Sequence, residues 1–238
     1  MMRLDKFLCD LNLGTRSQIK KEIKAGEVRI NDVRALRPEQ QVNEEKDRIC
    51  YKGQECSYEK YVCYLLHKPA GVVSATEDKH DPTVVDLLGS EKRKDLFPVG
   101  RLDKDTEGLL FLTNDGILAH NLLAPGKHVE KEYECHLAKE FDERQKQMLE
   151  QGVDIGEKRP TRPSRVRVLD DRKITLTITE GRFHQVKRML HAVGNEVVYL
   201  KRIRMGTVIL EEDLPRGSYR KLTKEEMERL KHDRSSHI

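Results

Sequence analysis

Residues 100–116 read GRLDKDTEGLLFLTNDG, a polar loop that runs straight into a strongly apolar stretch. Asp103 lies between Arg101 and Lys104, just ahead of Gly108 and the run LLFLT, and Asn114-Asp115-Gly116 closes the segment as a turn signal. A charge on a loop anchored by a buried strand is held rigidly beside a cleft, as an active site requires. The plain alternative is a polar turn that leads into a core strand. Asp105 and Glu107 lie close enough in sequence to admit the paired-carboxylate chemistry of glycosidases as well.

Working outward, strand and helix signals alternate without a regular repeat. VCYLLHKPAGVVSAT (62–76) reads as a strand, a turn at Pro69-Ala70-Gly71 and a continuation. HDPTVVDLL (80–88) predicts a short helix begun by Pro82 and Thr83. ILAHNLLA (117–124) suits a helix. Tyr133–Leu137, Val166–Leu169 and ITLTITEG (174–181) are strand-like. RFHQVKRMLHAVG (182–194) predicts a helix stopped at Gly194, VVYLKRIRMGTVIL (197–210) returns as strand, and KEEMERLK (224–231) predicts a last helix. Many non-local strands with few interposed helices imply an α+β fold with a mixed sheet.

The front of the chain has another character. In RLDKFLCDLNLG (3–14), Leu4, Phe7, Leu8 and Leu11 recur at helical spacing, with Gly14 as the expected stop. Thr15 or Ser17 can cap SQIKKEIKAG (17–26), whose Ile19 and Ile23 share a face. EVRIND (27–32) alternates like a strand and ends in an Asn31-Asp32 turn. From Pro38 to Lys60 the sequence is polar, with apolar pieces only around Val42 and Ile49. The domain boundary is therefore expected near Glu59, separating residues 1–59 from 60–238.

The 238 residues are 37% hydrophobic and 36% charged, with a net charge of +4. That excludes a disordered chain, and no stretch approaches the 18 apolar residues of a membrane span. MMRLDKFLCDLNLG lacks the apolar core of a signal peptide. The five cysteines form no CxxC pair, which favours free thiols, a reducing, cytoplasmic setting and no structural metal. Local charge says more than the total. Residues 1–37 hold nine Lys or Arg against five Asp or Glu, and residues 158–204 hold thirteen against four. Two separated basic segments fit a chain that touches a polyanion in two places.

The second of these contains EGRFHQVKRMLHAVG (180–194). On a helix, His184, Lys187, Arg188 and His191 would form one basic face, fit to hold phosphates or to pair with a carboxylate. Arg182 precedes them. The two histidines are seven apart, too far for the four-residue metal pair.

These segments occur in a telling order. YLLHKPAGVVSA, GRLDKDTEGLLFLTNDG, KEYECHL and EGRFHQVKRML together resemble the RsuA-type branch of the pseudouridine synthases. Residues 1 to about 59, with RLDKFL, TRSQIKKEIKAG and VRIN, resemble the small RNA-binding domain named after ribosomal protein S-four. The resemblance covers essentially the whole chain. It implies a small α/β RNA-binding domain followed by a mixed, mainly antiparallel sheet. The short start, the HDPTVVDLL segment and the length match the members that modify a uridine of small-subunit 16S rRNA, while close paralogues act on large-subunit rRNA.

The implied reaction is an isomerisation: the glycosidic bond breaks, the base turns while held, and a ring carbon rejoins the ribose. No atom is gained or lost, so no cofactor is implied. By the family pattern Asp103 is the catalytic carboxylate, acting either on the sugar carbon or on a sugar proton. Lys187 is its cation, where other branches carry Arg. Tyr133 lies against the target base, which must leave its helix to be reached. Arg101 matches the position that fills the vacated space, or else fixes the loop through a salt bridge, and Arg182 is a further RNA-binding candidate. In the front domain Arg3, Lys6, Arg16, Lys20, Lys21, Lys24 and Arg29 are candidates to track phosphates. The expected partner is ribosomal RNA or a pre-ribosomal particle, met by a monomer. A non-catalytic assembly factor with this fold is the competing reading.

Overall fold

A computed structural model describes residues 1–231. They form two compact units: residues 1–62 together with 89–96, and residues 63–88 together with the chain from 97 onward.

In the first unit, β1 (Met2–Arg3) leads into α1 (Leu4–Asp10), and α2 (Arg16–Ala25) follows. The first helix ends earlier than its apolar spacing predicts. Asn12, not Gly14, takes the left-handed turn at φ 56°, a conformation that asparagine tolerates. At the start of α2, Thr15 Oγ1 accepts from Gln18 N at 3.3 Å and Gln18 Oε1 accepts from Thr15 N at 2.8 Å. This reciprocal cap fixes where the helix begins. Next come β2 (Val28–Ile30) and β3 (Val33–Arg34), joined at Asn31 and Asp32, both left-handed. That is the turn which suits the twist of a hairpin.

The polar stretch after Pro38 holds more structure than its composition announces. It supplies β4 (Gln41–Val42), β5 (Ile49–Tyr51) and β6 (Gln54–Cys56). Strand β4 pairs with β1, and the other four strands form a sheet in the order β3-β2-β5-β6. Val42 and Ile49 are fully buried with Leu4, Phe7, Leu8, Ile19, Ile23 and Val28. Two well-placed apolar residues are enough to anchor these short strands to a small core.

The second unit is built on one sheet. Its strands are β7 (Cys63–Lys68), β8 (Phe97–Pro98), β9 (Glu107–Thr113), β10 (Lys131–Leu137), β11 (Arg165–Asp170), β12 (Lys173–Ile178), β13 (Val197–Met205), β14 (Val208–Ile209) and β15 (Tyr219–Lys221). The order is β11-β12-β10-β13-β9-β7-β15, with β14 paired to β13 and β8 to β9. Every pair is antiparallel except β9 with β13, so the sheet is mixed and mainly antiparallel, as expected. Around it lie α3 (Gly116–Leu123), α4 (Glu143–Gln151), α5 (Gln185–Ala192) and α6 (Lys224–Lys231). No helix among the described residues is long and apolar enough to cross a membrane.

The stretch LLFLT becomes the last five residues of β9, a strand buried along its whole length. Leu109 and Phe111 pack with Leu65, Leu118, Leu122 and Met205. The NDG turn also starts α3, because Asp115 Oδ1 accepts from the N–H groups of Ile117 and Leu118, each at 3.0 Å. The lone parallel contact needs Gly108, at φ 105°. A Cβ there would stand 2.2 Å from the carbonyl oxygen of Arg202 and 2.6 Å from its nitrogen. Only glycine lets β9 and β13 approach this closely.

Two predicted helices differ. HDPTVVDLL forms no α-helix. Val73 bridges to Thr83 instead, and Asp86 Oδ2 accepts from the N–H of Thr83 at 2.9 Å and from its hydroxyl at 2.8 Å. Asp86 N donates back to Thr83 Oγ1 at 3.3 Å, a reciprocal cap that opens short 3-10 turns over Asp86–Glu91, kinked at Gly89, in place of the predicted helix. In RFHQVKRMLHAVG the helix begins only at Gln185, because His184 is left-handed at φ 48°.

Candidate active site

The loop carrying Asp103 is held from below by a lysine that the sequence reading passed over. Lys68 ends β7 and is fully buried. Its ammonium donates to the carbonyls of Pro69 at 3.0 Å, Lys104 at 3.2 Å and Thr106 at 2.8 Å. Three donors meet three acceptors, so every N–H of the group is used. Burial lowers the Lys68 pKa to about 8, against the opposing pull of Asp105, Asp103 and Glu107. Further bonds close the loop. Thr106 N donates to Asp103 O at 3.0 Å, Gly71 N donates to Lys104 O at 2.8 Å, and the Ser74 hydroxyl donates to Leu102 O at 2.8 Å.

Above this support the Asp103 carboxylate faces α5. Lys187 Nζ is 3.2 Å from Asp103 Oδ2, and His184 Nε2 is 3.4 Å from Asp103 Oδ1. Lys187 is also bound by a second carboxylate, donating to Asp105 at 2.6 and 2.9 Å. One cation thus bridges two acidic groups. Burial opposes the charge on Lys187, but Asp105 and Asp103 outweigh it and raise its pKa. The hydrogen bond from Lys187 in turn lowers the pKa of Asp105. The sequence reading gave Lys187 to Asp103 alone; the geometry adds Asp105.

The predicted basic face of 184–191 is divided. Lys187 and His184 turn to Asp103, whereas Arg188 bonds Glu157 at 2.6 Å and Phe183 O at 3.0 Å. The cause is the late start of α5, which takes His184 out of helical register. Its ring stacks on Phe183 at 3.7 Å between centroids, while Phe183 itself is 73% exposed. Arg182 is committed to protein partners: the carbonyls of Arg159 at 2.7 Å and Pro160 at 2.8 Å, and the Glu180 carboxylate at 3.1 Å.

Asp103, Arg182, His184 and Lys187 border a cleft of about 950 Å³, whose floor is the centre of the sheet. Tyr133 reaches it from β10, Ile178 from β12, and Leu200 and Arg202 from β13. Tyr133 is buried. Register places it opposite Leu176 on one side and Arg202 on the other. Arg101 is exposed on the rim and makes no hydrogen bond or ion pair among the described residues, so it is not the salt bridge that fixes the loop. Glu107 is absent from the cleft. Its carboxylate accepts from Tyr199 at 2.8 Å and pairs with Arg216 at 2.9 Å, which removes it from any carboxylate pair with Asp103.

In this arrangement one carboxylate, cation-paired and a quarter exposed, stands at the mouth of a cleft roomy enough for a nucleotide and walled by an aromatic ring. The family model for RNA pseudouridylate synthases matches residues 61–192. The chain belongs to this family. The S4 domain model matches residues 2–49 ahead of it. An uncharacterized RNA pseudouridine synthase of Bacillus subtilis is 47% identical, over 96% of this chain and 98% of its own. A ribosomal small subunit pseudouridine synthase A of Haemophilus influenzae is 40% identical, over 96% and 99%. A pseudouridylate synthase crystal structure, 39% identical, superposes with a TM-score of 0.69 over 97% of this chain and 100% of that one. The chain is an isomerase that acts on RNA. The synthase thus carries its RNA-binding module at the front and its cleft in the second unit.

That module sorts the predicted RNA contacts into two groups. Arg3 is paired with Asp5 at 2.8 Å and Lys6 with Asp10 at 2.5 Å. Arg16, Lys20, Lys21, Lys24 and Arg29 are exposed, and their side chains make no hydrogen bond or ion pair among the described residues. Spacing alone could not separate the groups, since the pairing depends on which acidic residue the helix brings alongside.

Proposed function

We propose that this synthase converts a uridine of small-subunit 16S ribosomal RNA to pseudouridine, with Asp103 as its catalytic carboxylate. The observation that carries the reading is Asp103 beside Lys187 at 3.2 Å, at the edge of the cleft that Tyr133 lines. The target nucleotide is extruded into that cleft, because a base stacked in a helix offers its glycosidic bond to no side chain. Tyr133 packs against the extruded base, worth about 1–3 kcal/mol. Lys187 holds Asp103 aimed at the ribose, and Asp105 keeps Lys187 in place. Arg101, unpaired on the rim, fills the space the base leaves. Arg182 acts by holding the 159–160 backbone at the cleft wall.

Small-subunit RNA is preferred because the Haemophilus influenzae relative, similar along nearly its whole length, is named for that substrate. Residues 1–59 act as the RNA-binding domain and 60–238 as the catalytic domain of a cytoplasmic monomer that needs no cofactor. Arg16, Lys20, Lys21, Lys24 and Arg29 meet RNA phosphates directly. Arg3 and Lys6 do so only after giving up a carboxylate. Mapping pseudouridines in ribosomal RNA from cells with and without the gene tests the assignment. Loss of one 16S position is the expected result, and an unchanged 16S map refutes it.

A further inference from the structure

Two cations are buried in the cleft floor with nothing to neutralise them. Lys131 and Arg202 are 7% and 2% exposed, and both border the cleft beside Tyr133. Lys131 precedes Tyr133 by two residues on β10, which puts both on one face, and Arg202 is the register partner of Tyr133 on β13. Neither makes an ion pair among the described residues. Lys131 donates to its neighbour's carbonyl, Val129 O, at 3.0 Å. Arg202 Nε donates to Leu109 O at 2.7 Å, while its Nη2 is buried without a partner. Burial, with the nearby Arg202 charge, lowers the Lys131 pKa to about 8. Like charges placed together and removed from water destabilise a fold unless something of opposite sign arrives.

We infer that Lys131 and Arg202 form an electrostatic cradle for the carbonyl oxygens of the target uracil, strongest when the base carries negative charge. The inference rests on the extruded-base reading above. When the N1–C1′ bond breaks, its electron pair leaves with the base, and the charge on N1 spreads to O2 and O4. The C1′ side is balanced by a bond to the Asp103 carboxylate that breaks again on rejoining, or by transfer of a sugar proton to Asp103 that is returned to the same carbon when C5 attaches. On rejoining, a C5–C1′ bond forms, C5 gives up its proton and N1 takes one, so product and substrate have the same formula. Fixed cations in a dry floor stabilise that transient charge without reorganising.

The symmetry of uracil suits such a floor. A half-turn about the N3–C6 axis exchanges N1 with C5 and, in the same motion, O2 with O4. Donors that bond one carbonyl before the turn therefore meet the other after it. The site recognises substrate, detached base and product through the same contacts. A phosphate of the target nucleotide is the competing occupant. The floor position, alongside the residue that packs against the base, favours the base.

The test uses full-length protein and a 16S RNA substrate carrying uridine, 2-thiouridine or 4-thiouridine at the modified position, with rates measured at saturating enzyme. Sulfur accepts hydrogen bonds poorly, so the wild type is expected to slow at least tenfold with either thio substitution. Arg202→Gln is expected to lower the rate on uridine about 100-fold with less than a threefold change in RNA affinity, and to lose discrimination against sulfur. Arg202→Lys should regain part of the rate, and Lys131→Gln should repeat the pattern more weakly. Circular dichroism and melting of each variant separate misfolding from a local defect. If folded Arg202→Gln keeps wild-type rate, or keeps full discrimination against sulfur, the cradle is refuted. Loss of affinity alone, with sensitivity to a phosphorothioate at the target, would assign the floor to phosphate and also refute it. Failure of wild-type protein to form pseudouridine on the all-uridine RNA would instead count against the underlying reading.

Discussion

Replacing Lys68 with methionine keeps the length of the side chain and removes only its ammonium. The structure sets the size of the effect. Three hydrogen bonds from a charged donor, to Pro69, Lys104 and Thr106, would each contribute about 1.5–3 kcal/mol. They share one ammonium whose burial is itself costly, as its pKa near 8 shows, so the net loss is about 2–4 kcal/mol. At about 2–4 °C per kcal/mol for a chain of this size, the catalytic unit should melt roughly 5–15 °C lower. Because two of the three carbonyls belong to the Asp103 loop, kcat should fall about 10- to 100-fold with RNA affinity unchanged.

The pH dependence sharpens the test. Below about pH 8 Lys68 offers three N–H donors to three carbonyls; above it, only two. Wild-type kcat should therefore decline as pH rises through about 8. Stability runs the other way. The folded-state pKa lies below the ordinary lysine value of 10.5, so between these values the unfolded chain holds the proton longer and the contribution of Lys68 to stability increases with pH. Lys68→Met should show neither effect. Single-turnover kinetics and melting across pH 6–10 provide the assay. A variant with wild-type kcat and melting temperature would refute the claim that this ammonium holds the loop.

Three other outcomes follow from the same geometry. Gly108→Ala should destabilise the catalytic unit by at least about 3 kcal/mol, because a positive φ and a backbone clash act together; Gly126→Ala, where a new Cβ meets nothing within 4 Å, should melt like the wild type in the same scan. Lys187→Met should lower kcat roughly 10- to 100-fold: at 3.2 Å the attraction for Asp103 is about 5 kcal/mol at an effective dielectric near 20, and solvent screening leaves about 1–3. Neutralising Lys20, Lys21 and Lys24 together should flatten the salt dependence of RNA binding by about two charges' worth, whereas Arg3→Ala should change it little, as filter binding from 50 to 300 mM salt would report.

Strong local patterns were legible in the sequence. LLFLT reads as a core strand, and a cap at Thr15 or Ser17 and the Asn31-Asp32 turn mark their elements, because each chemistry acts within a few residues. The mixed sheet followed from the number and spacing of strands, and its mainly antiparallel pairing from the family resemblance. Over HDPTVVDLL the Thr83–Asp86 cap opens only 3-10 turns from Asp86 onward, a choice of helix type that apolar spacing does not register. Short strands after Pro38 were hidden because two buried residues suffice to hold them. The same divide runs through the site. Asp103 stood out by its loop, but its neighbours come from β7, β10, α5 and β13, and no periodicity reports which strands become adjacent. Lys68 had a visible sign, a lysine closing the apolar run VCYLLH. Arg202 had none, lying in a strand with two other basic residues, Lys201 and Arg204, that are only partly buried.

The claim that one carboxylate carries the isomerisation is tested most directly by comparing wild type with Asp103→Asn on the same 16S RNA. Pseudouridine is mapped at single-nucleotide resolution, and RNA affinity is measured in parallel. Wild type should form one modified uridine and the variant none, with RNA affinities within about threefold of each other. Pseudouridine formed by Asp103→Asn at the wild-type rate would contradict that claim.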